Sequence, residues 1–214
     1  MPLFKQYNQY HCRWAIWKQE ESIDQLLMKL PVMGRAEYLK GMEAFTSESR
    51  RLEWLAIRVL LFELLGEMKK VLYEPSGKPY LADASAHISI SHTKGYVAVI
   101  VSRRHEVGID IEQYRDRVLK VAHKFVREDE KAHINPEKEI LSLLLIWSAK
   151  EVMFKCMNES EVDFRAHLMV ELPADSKPFM NCREYRTSLR KRFLIYYLTH
   201  PDFVMTWTIE EPEL

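Results

Sequence analysis

Three acidic residues and two lysines recur at spacings that could hold a metal ion against a phosphorylated ligand. The hexapeptide Val107-Gly108-Ile109-Asp110-Ile111-Glu112 alternates apolar residues with Gly108, Asp110 and Glu112. On a strand, side chains two apart share a face, so Asp110 and Glu112 would stand side by side. Two like charges so placed raise each other's pKa unless a cation sits between them. The plainer alternative is an edge strand with a solvated acidic face. Further along, Trp147, Glu151 and Lys155 fall at i, i+4 and i+8, one face of a helix, with Lys150 next to Glu151. Charges on a buried helix need partners, because an uncompensated one is very costly. A Glu151–Lys155 ion pair would meet that need. So would Glu151 joining Asp110 and Glu112 around a divalent cation, with Lys155 held for an anion. Three carboxylates that leave positions for water and phosphate oxygens suit a hard ion such as Mg²⁺.

The elements that must position these residues are legible. Asn135-Pro136-Glu137 has the chemistry of a helix start, and an almost wholly apolar run from Ile140 to Trp147 predicts a buried helix reaching Met157. A second long helix is predicted over 47–66, from Ser47 or Ser49 to Gly66. Arg50, Arg51 and Arg58 lie toward its N-terminal half, where a helix terminus and guanidinium groups can form an anion site or a solvated basic end. Ile88–His92, Tyr96–Val101 and the acidic hexapeptide succeed one another as strands with short connections, which predicts antiparallel pairing. His92, at a strand end beside hydroxyls, could bind a phosphate or be a satisfied structural histidine. Lys78 follows a Pro-Ser-Gly turn. Further strands are predicted at 10–17, 166–172, 182–188, 192–200 and 203–209, and helices at 22–30, 35–45 and 114–125. Strand, helices and strands in the first half are echoed in the second.

Composition narrows the classes. The chain has 214 residues, 47% hydrophobic and 29% charged, with 31 basic and 31 acidic side chains. It can build a sizeable core, and no global field favours nucleic acid or an anionic membrane. Three widely spaced cysteines without CxxC spacing predict reduced thiols in a cytoplasmic protein. No apolar stretch approaches the length of a membrane span, and the N-terminus lacks an uninterrupted apolar core for a signal peptide.

Together these residues resemble the 4′-phosphopantetheinyl transferase superfamily, in particular its longer, monomeric group typified by the surfactin-synthetase activator. The resemblance is collinear over about 77–155. It rests on Gly77-Lys78-Pro79, Ile90-Ser91-His92-Thr93, Gly108-Ile109-Asp110-Ile111-Glu112, Lys124-Phe125 with Glu130, and Trp147-Ser148-Ala149-Lys150-Glu151-Val152-Met153-Phe154-Lys155. Thr93 stands where the family often has Ser, Val152-Met153 replace smaller neighbours, and the segment Cys156-Met157-Asn158-Glu159 lacks a common glycine. The family's charged set is otherwise intact.

The resemblance implies an α+β pseudo-dimer of two similar halves, 1–105 and 106–214, each a small antiparallel sheet packed on helices, with coenzyme A in the cleft between them. It implies transfer of the phosphopantetheine arm of coenzyme A to a serine of an acyl or peptidyl carrier protein by a cytoplasmic monomer, as in fatty acid biosynthesis. Adenosine 3′,5′-bisphosphate would be released. Asp110, Glu112 and Glu151 become the Mg²⁺ ligands. Lys155 and His92 would contact phosphates, Lys78, Pro79 and Ser91 the nucleotide end, with Lys150 nearby and Arg50 or Arg51 on the 3′-phosphate. The base would be Glu151, directly or through a metal-bound water, or Glu130. The alternatives are a coenzyme A- or carrier-binding module without turnover, and an unrelated Mg²⁺-dependent phosphohydrolase.

Overall fold

The computed structural model describes residues 3–9, 12–157, 159, 161–173 and 177–209. Two compact units divide the chain, Met1–Arg104 and His105–Leu214. Each is an antiparallel sheet covered by helices, so the fold is α+β with two similarly built halves.

In the first unit, β1 (Leu3–Gln9) and β2 (Cys12–Lys18) precede three helices, α1 (Ile23–Met28), α2 (Val32–Met42) and α3 (Glu48–Leu65). A two-stranded ribbon, β3 (Val71–Tyr73) with β4 (Pro79–Leu81), follows, and then β5 (His87–Thr93) and β6 (Tyr96–Ser102). The main sheet runs β1-β2-β6-β5. Strand alternation turns Ala15, Trp17, Ile88, Val97, Val99 and Val101 toward α3, whose Leu55, Val59 and Leu60 are fully buried. Gly66 ends α3 with φ of 77°, a left-handed cap that suits glycine, and its N–H donates to the Phe62 carbonyl at 2.8 Å. The strand predicted at 10–17 begins on Tyr10 and His11, outside the described residues, and is seen from Cys12 as β2. β1 was not predicted: it is an edge strand with few apolar side chains, so its period-2 signal is weak.

The second unit contains β7 (Val107–Gln113), α4 (Arg117–Val121), α5 (Glu128–Lys131), α6 (Glu139–Cys156), α7 (Phe164–His167), β8 (Leu168–Glu171), β9 (Phe179–Glu184), β10 (Arg192–Thr199) and β11 (Phe203–Ile209). Its sheet runs β7-β11-β10-β9-β8, and α6 lies across it. Asn135 accepts the Glu137 N–H at 2.9 Å, and one 3₁₀ turn leads into α6. Two strands differ from expectation. β7 pairs with β11 and not with β6, so the three consecutive strands are divided between two sheets. β9 ends at Glu184, earlier than predicted, because its buried carboxylate accepts the Thr187 and Lys191 N–H groups at 2.8 and 2.9 Å and turns the chain.

Cys12, Cys156 and Cys182 are buried and unbridged. Burial pushes the Cys12 thiol up to about 12 and raises that of Cys182 as well. Among the described residues, no helix is long and apolar enough to cross a membrane.

Candidate active site

Gly108, Asp110 and Glu112 all face α6, as the alternation of β7 predicts. The approach is close at Gly108: a Cβ there would lie 2.8 Å from the Cys156 sulfur and 2.9 Å from the Val152 carbonyl oxygen. That contact seats the last turns of α6 against β7. Trp147 Nε1 donates to Glu112 Oε1 at 2.8 Å, and its ring packs on Phe125 and Phe164. Lys155 Nζ donates to Asp110 Oδ1 and to the Ile109 carbonyl, both at 2.9 Å. Lys155 therefore pairs with Asp110 and not with Glu151. Ser148 and Thr206 exchange a hydroxyl hydrogen bond of 2.7 Å beneath the same face.

Glu151 is half-buried, and among the described residues it makes no hydrogen bond or ion pair. Burial and the Asp110 charge push its carboxyl up to about 7; Glu112 adds to the rise and Lys155 opposes it. Glu112 is raised too, by burial and then by Asp110. The three acids thus feel one another's charge. Among the described residues no set of three His, Cys, Asp or Glu side chains is drawn close enough to hold a metal ion as it stands; the cation against Asp110 is the Lys155 ammonium. The donors nonetheless fit a hard divalent cation: they are oxygen anions, mutually repelling, and one of them has no protein donor to neutralise it.

Lys150 and Glu130 differ from expectation. Lys150 has no exposed surface, and its ammonium donates to the Phe125 carbonyl at 2.6 Å, Glu130 Oε2 at 2.8 Å and the Phe164 carbonyl at 3.1 Å. All three protons are used, so none remains for a phosphate. Glu130 is equally buried and also accepts the Arg127 and Val170 N–H groups, which removes it as a proton acceptor for a substrate. A helix turns by about 100° per residue, so Lys150 and Lys155, five residues apart, diverge by about 140°; Lys150 points into the core while Lys155 reaches β7.

In the first unit, a pocket of about 350 Å³ gathers Arg50, Glu53, Trp54, Arg58, Tyr73, Pro79 and His92. Arg50, Pro79 and His92 were predicted site residues. Arg51, Lys78 and Ser91 are not in its wall. Arg51 Nε instead donates to the Phe45 carbonyl at 2.7 Å, and Ser91, next to His92 on β5, points to the opposite face. His92 Nδ1 lies 3.9 Å from Glu53 Oε2.

Sequence reasoning gave Arg58 no separate role. It is 5% exposed, stacks on the Trp54 ring at 3.9 Å, and donates only to the Trp54 carbonyl at 3.3 Å and, weakly, to the Tyr73 hydroxyl at 3.5 Å. Burial lowers its pKa, and among the described residues no acid pairs with it. Trp54 and Arg58 at i and i+4, in a stretch otherwise apolar from Leu55 to Phe62, were the available signal.

Residues 106–208 match the model of the 4′-phosphopantetheinyl transferase superfamily. The 4′-phosphopantetheinyl transferase AcpT of Salmonella typhimurium is 34% identical over 112 residues, 50% of this chain and 58% of that protein. AcpT of Escherichia coli K12 is 30% identical over 112 residues, 50% of this chain and 57% of that protein. The 4′-phosphopantetheinyl transferase gsp of Aneurinibacillus migulanus is 30% identical over 111 residues, 49% and 46% of the two chains. The chain thus spans about half the length of the curated relatives it matches. β7 and α6, which carry Asp110, Glu112, Glu151 and Lys155, both lie inside the stretch that is similar to this superfamily.

Proposed function

We propose that this protein is a Mg²⁺-dependent 4′-phosphopantetheinyl transferase that converts an apo acyl or peptidyl carrier protein to its holo form. The observation that carries the reading is Glu151, a half-buried acid with no protein donor, facing Asp110 and Glu112 with Lys155 alongside. Asp110, Glu112 and Glu151 would hold the metal. Bound Mg²⁺ would draw charge from the pyrophosphate of coenzyme A and help align it for in-line attack. Lys155 uses two protons on β7 and keeps a third for a phosphate oxygen. Arg50, Arg58 and His92 offer cationic or donor groups for the 3′-phosphate and nucleotide.

The carrier serine oxygen forms a bond to the β-phosphorus as the bond to the leaving adenosine 3′,5′-bisphosphate breaks. The serine proton passes to the Glu151 carboxylate, which has no protein donor among the described residues. A carrier of fatty acid or related synthesis, a cytoplasmic setting and a working monomer complete the reading, in line with the resemblance to the surfactin-synthetase-activator group.

The test is to incubate the protein with coenzyme A, Mg²⁺ and an apo acyl carrier protein and to weigh the carrier. A gain of one phosphopantetheine arm supports the reading. Adenosine bisphosphate formed equally without carrier, or coenzyme A bound with neither product, overturns it.

A further inference from the structure

The hairpin of β9 and β10 carries a charge pattern that neither the metal site nor the nucleotide pocket uses. Between 183 and 192 the chain places Arg183, Arg186, Arg190, Lys191 and Arg192 against one acid, Glu184. Glu184 is buried and accepts the Thr187 and Lys191 N–H groups of its own turn, so it faces none of the arginines from outside. Elsewhere several surface cations are paired, as in Lys69–Asp83, Lys131–Glu128 and Arg165–Glu128. Among the described residues, Arg183, Arg186 and Arg192 have no ion pair or hydrogen bond through their side chains, and Arg190 has only the Tyr185 ring at 5.9 Å.

Arg183 and Arg192 are direct cross-strand partners on the sheet face opposite α6, since their neighbours Cys182 and Phe193 fill the core. Like charges directly opposite one another destabilise a sheet. They line a pocket of about 380 Å³ whose one acid, Glu171, already accepts from Asn181 Nδ2 at 3.4 Å. Leu194 on the same face is 40% exposed, and Leu189 at the tip is 83% exposed.

We infer that this hairpin is a docking surface for the carrier protein, meeting an acidic helix; the inference rests on the transferase reading. Directly opposed residues on paired strands stand about 4.5–5.5 Å apart. The Cβ atoms of residues one turn apart on a helix stand about 5–6 Å apart. Two arginines rooted at the first spacing can each reach one of two acids rooted at the second, and a guanidinium fork can take a carboxylate through two parallel hydrogen bonds. Leu189 and Leu194 supply apolar contact beside them. The chain's zero net charge gives a long polyanion no extended track, which disfavours nucleic acid.

The experiment replaces the couple with Arg183→Ser/Arg192→Ser in the full chain and measures transfer to an acidic apo acyl carrier protein. The expected result is a carrier KM at least about tenfold higher and less sensitive to salt, with the calorimetric Kd for coenzyme A unchanged and no loss of Tm. Arg183→Lys/Arg192→Lys, which keeps charge and loses the forks, should fall between. A carrier KM within twofold of the parent overturns the inference and leaves the transferase reading intact. So does a variant that loses only its binding to phosphatidylglycerol vesicles, which would assign the hairpin to a lipid surface. If the parent protein transfers nothing, fluorescence anisotropy of the labelled carrier still decides. Binding to the parent and not to the variant supports the docking surface; equal binding, or none, overturns it.

Discussion

Glu151 concentrates the electrostatic cost of the second unit. Its carboxyl is raised from an ordinary glutamate value to about 7, so the folded state holds a proton there that the unfolded chain has released. That stability is complete below about 4.5 and is lost as pH rises through about 7. Without metal, the Tm of the parent protein should therefore fall between pH 5 and 8, and the Tm of Glu151→Gln should fall less; parallel curves would show that the acid is not strained. Mg²⁺ should raise Tm at pH 8 in the parent and not in Glu151→Gln, and the variant should lose at least ~100-fold in turnover. Arg58 makes the complementary case. A buried ion exchanged for an apolar side chain is often neutral or stabilising. Arg58→Met should hold or raise Tm while removing a charge-assisted contact of about 1.5–3 kcal/mol, and so raise the KM for coenzyme A at least about tenfold. Unchanged KM would make Arg58 a stacking partner of Trp54 and nothing more.

At the scale of elements, the seating of α6 on β7 depends on a missing side chain. A methyl at Gly108 would meet the Val152 carbonyl, backbone that cannot rotate away, so Gly108→Ala should cost about 1–3 kcal/mol by chemical denaturation and displace Lys155 from Asp110. Lys150 and Glu130 tie α6 to α5, β8 and the chain at Phe125 and Phe164. Lys150→Met alone should cost about 3–5 kcal/mol by leaving Glu130 charged and buried, and the double change Lys150→Met/Glu130→Gln should cost less than the sum. The long helices and most strands could be read from sequence because their apolar periods are strong, and the shared face of Asp110 and Glu112 followed from strand alternation alone. Lys150 could not be assigned that way: a lysine in a charged motif reads as a ligand until Phe125, Glu130 and Phe164, distant in sequence, close around it. The sheet partner of β7 was equally hidden, since β11 lies some 90 residues away and its pairing depends on tertiary packing.

Over the whole molecule the candidate chemistry is divided. The acids and Lys155 belong to the second unit, whereas Arg50, Arg58 and His92 line a pocket of the first. Variants should divide likewise. Arg50→Ala or His92→Ala should raise the KM for coenzyme A and leave the Mg²⁺ concentration for half-maximal rate in place, while Asp110→Ala should shift the Mg²⁺ requirement; one common response to both would contradict the division. The enclosure of all three thiols in the interior has a practical result of another kind. Maleimides and iodoacetamides attack the thiolate, and Cys12 at about 12 is almost wholly un-ionised near neutrality. A cysteine introduced at an outlying point such as Leu189 would then react far ahead of the native ones, so a dye or spin label could be attached to the hairpin without first deleting any of them.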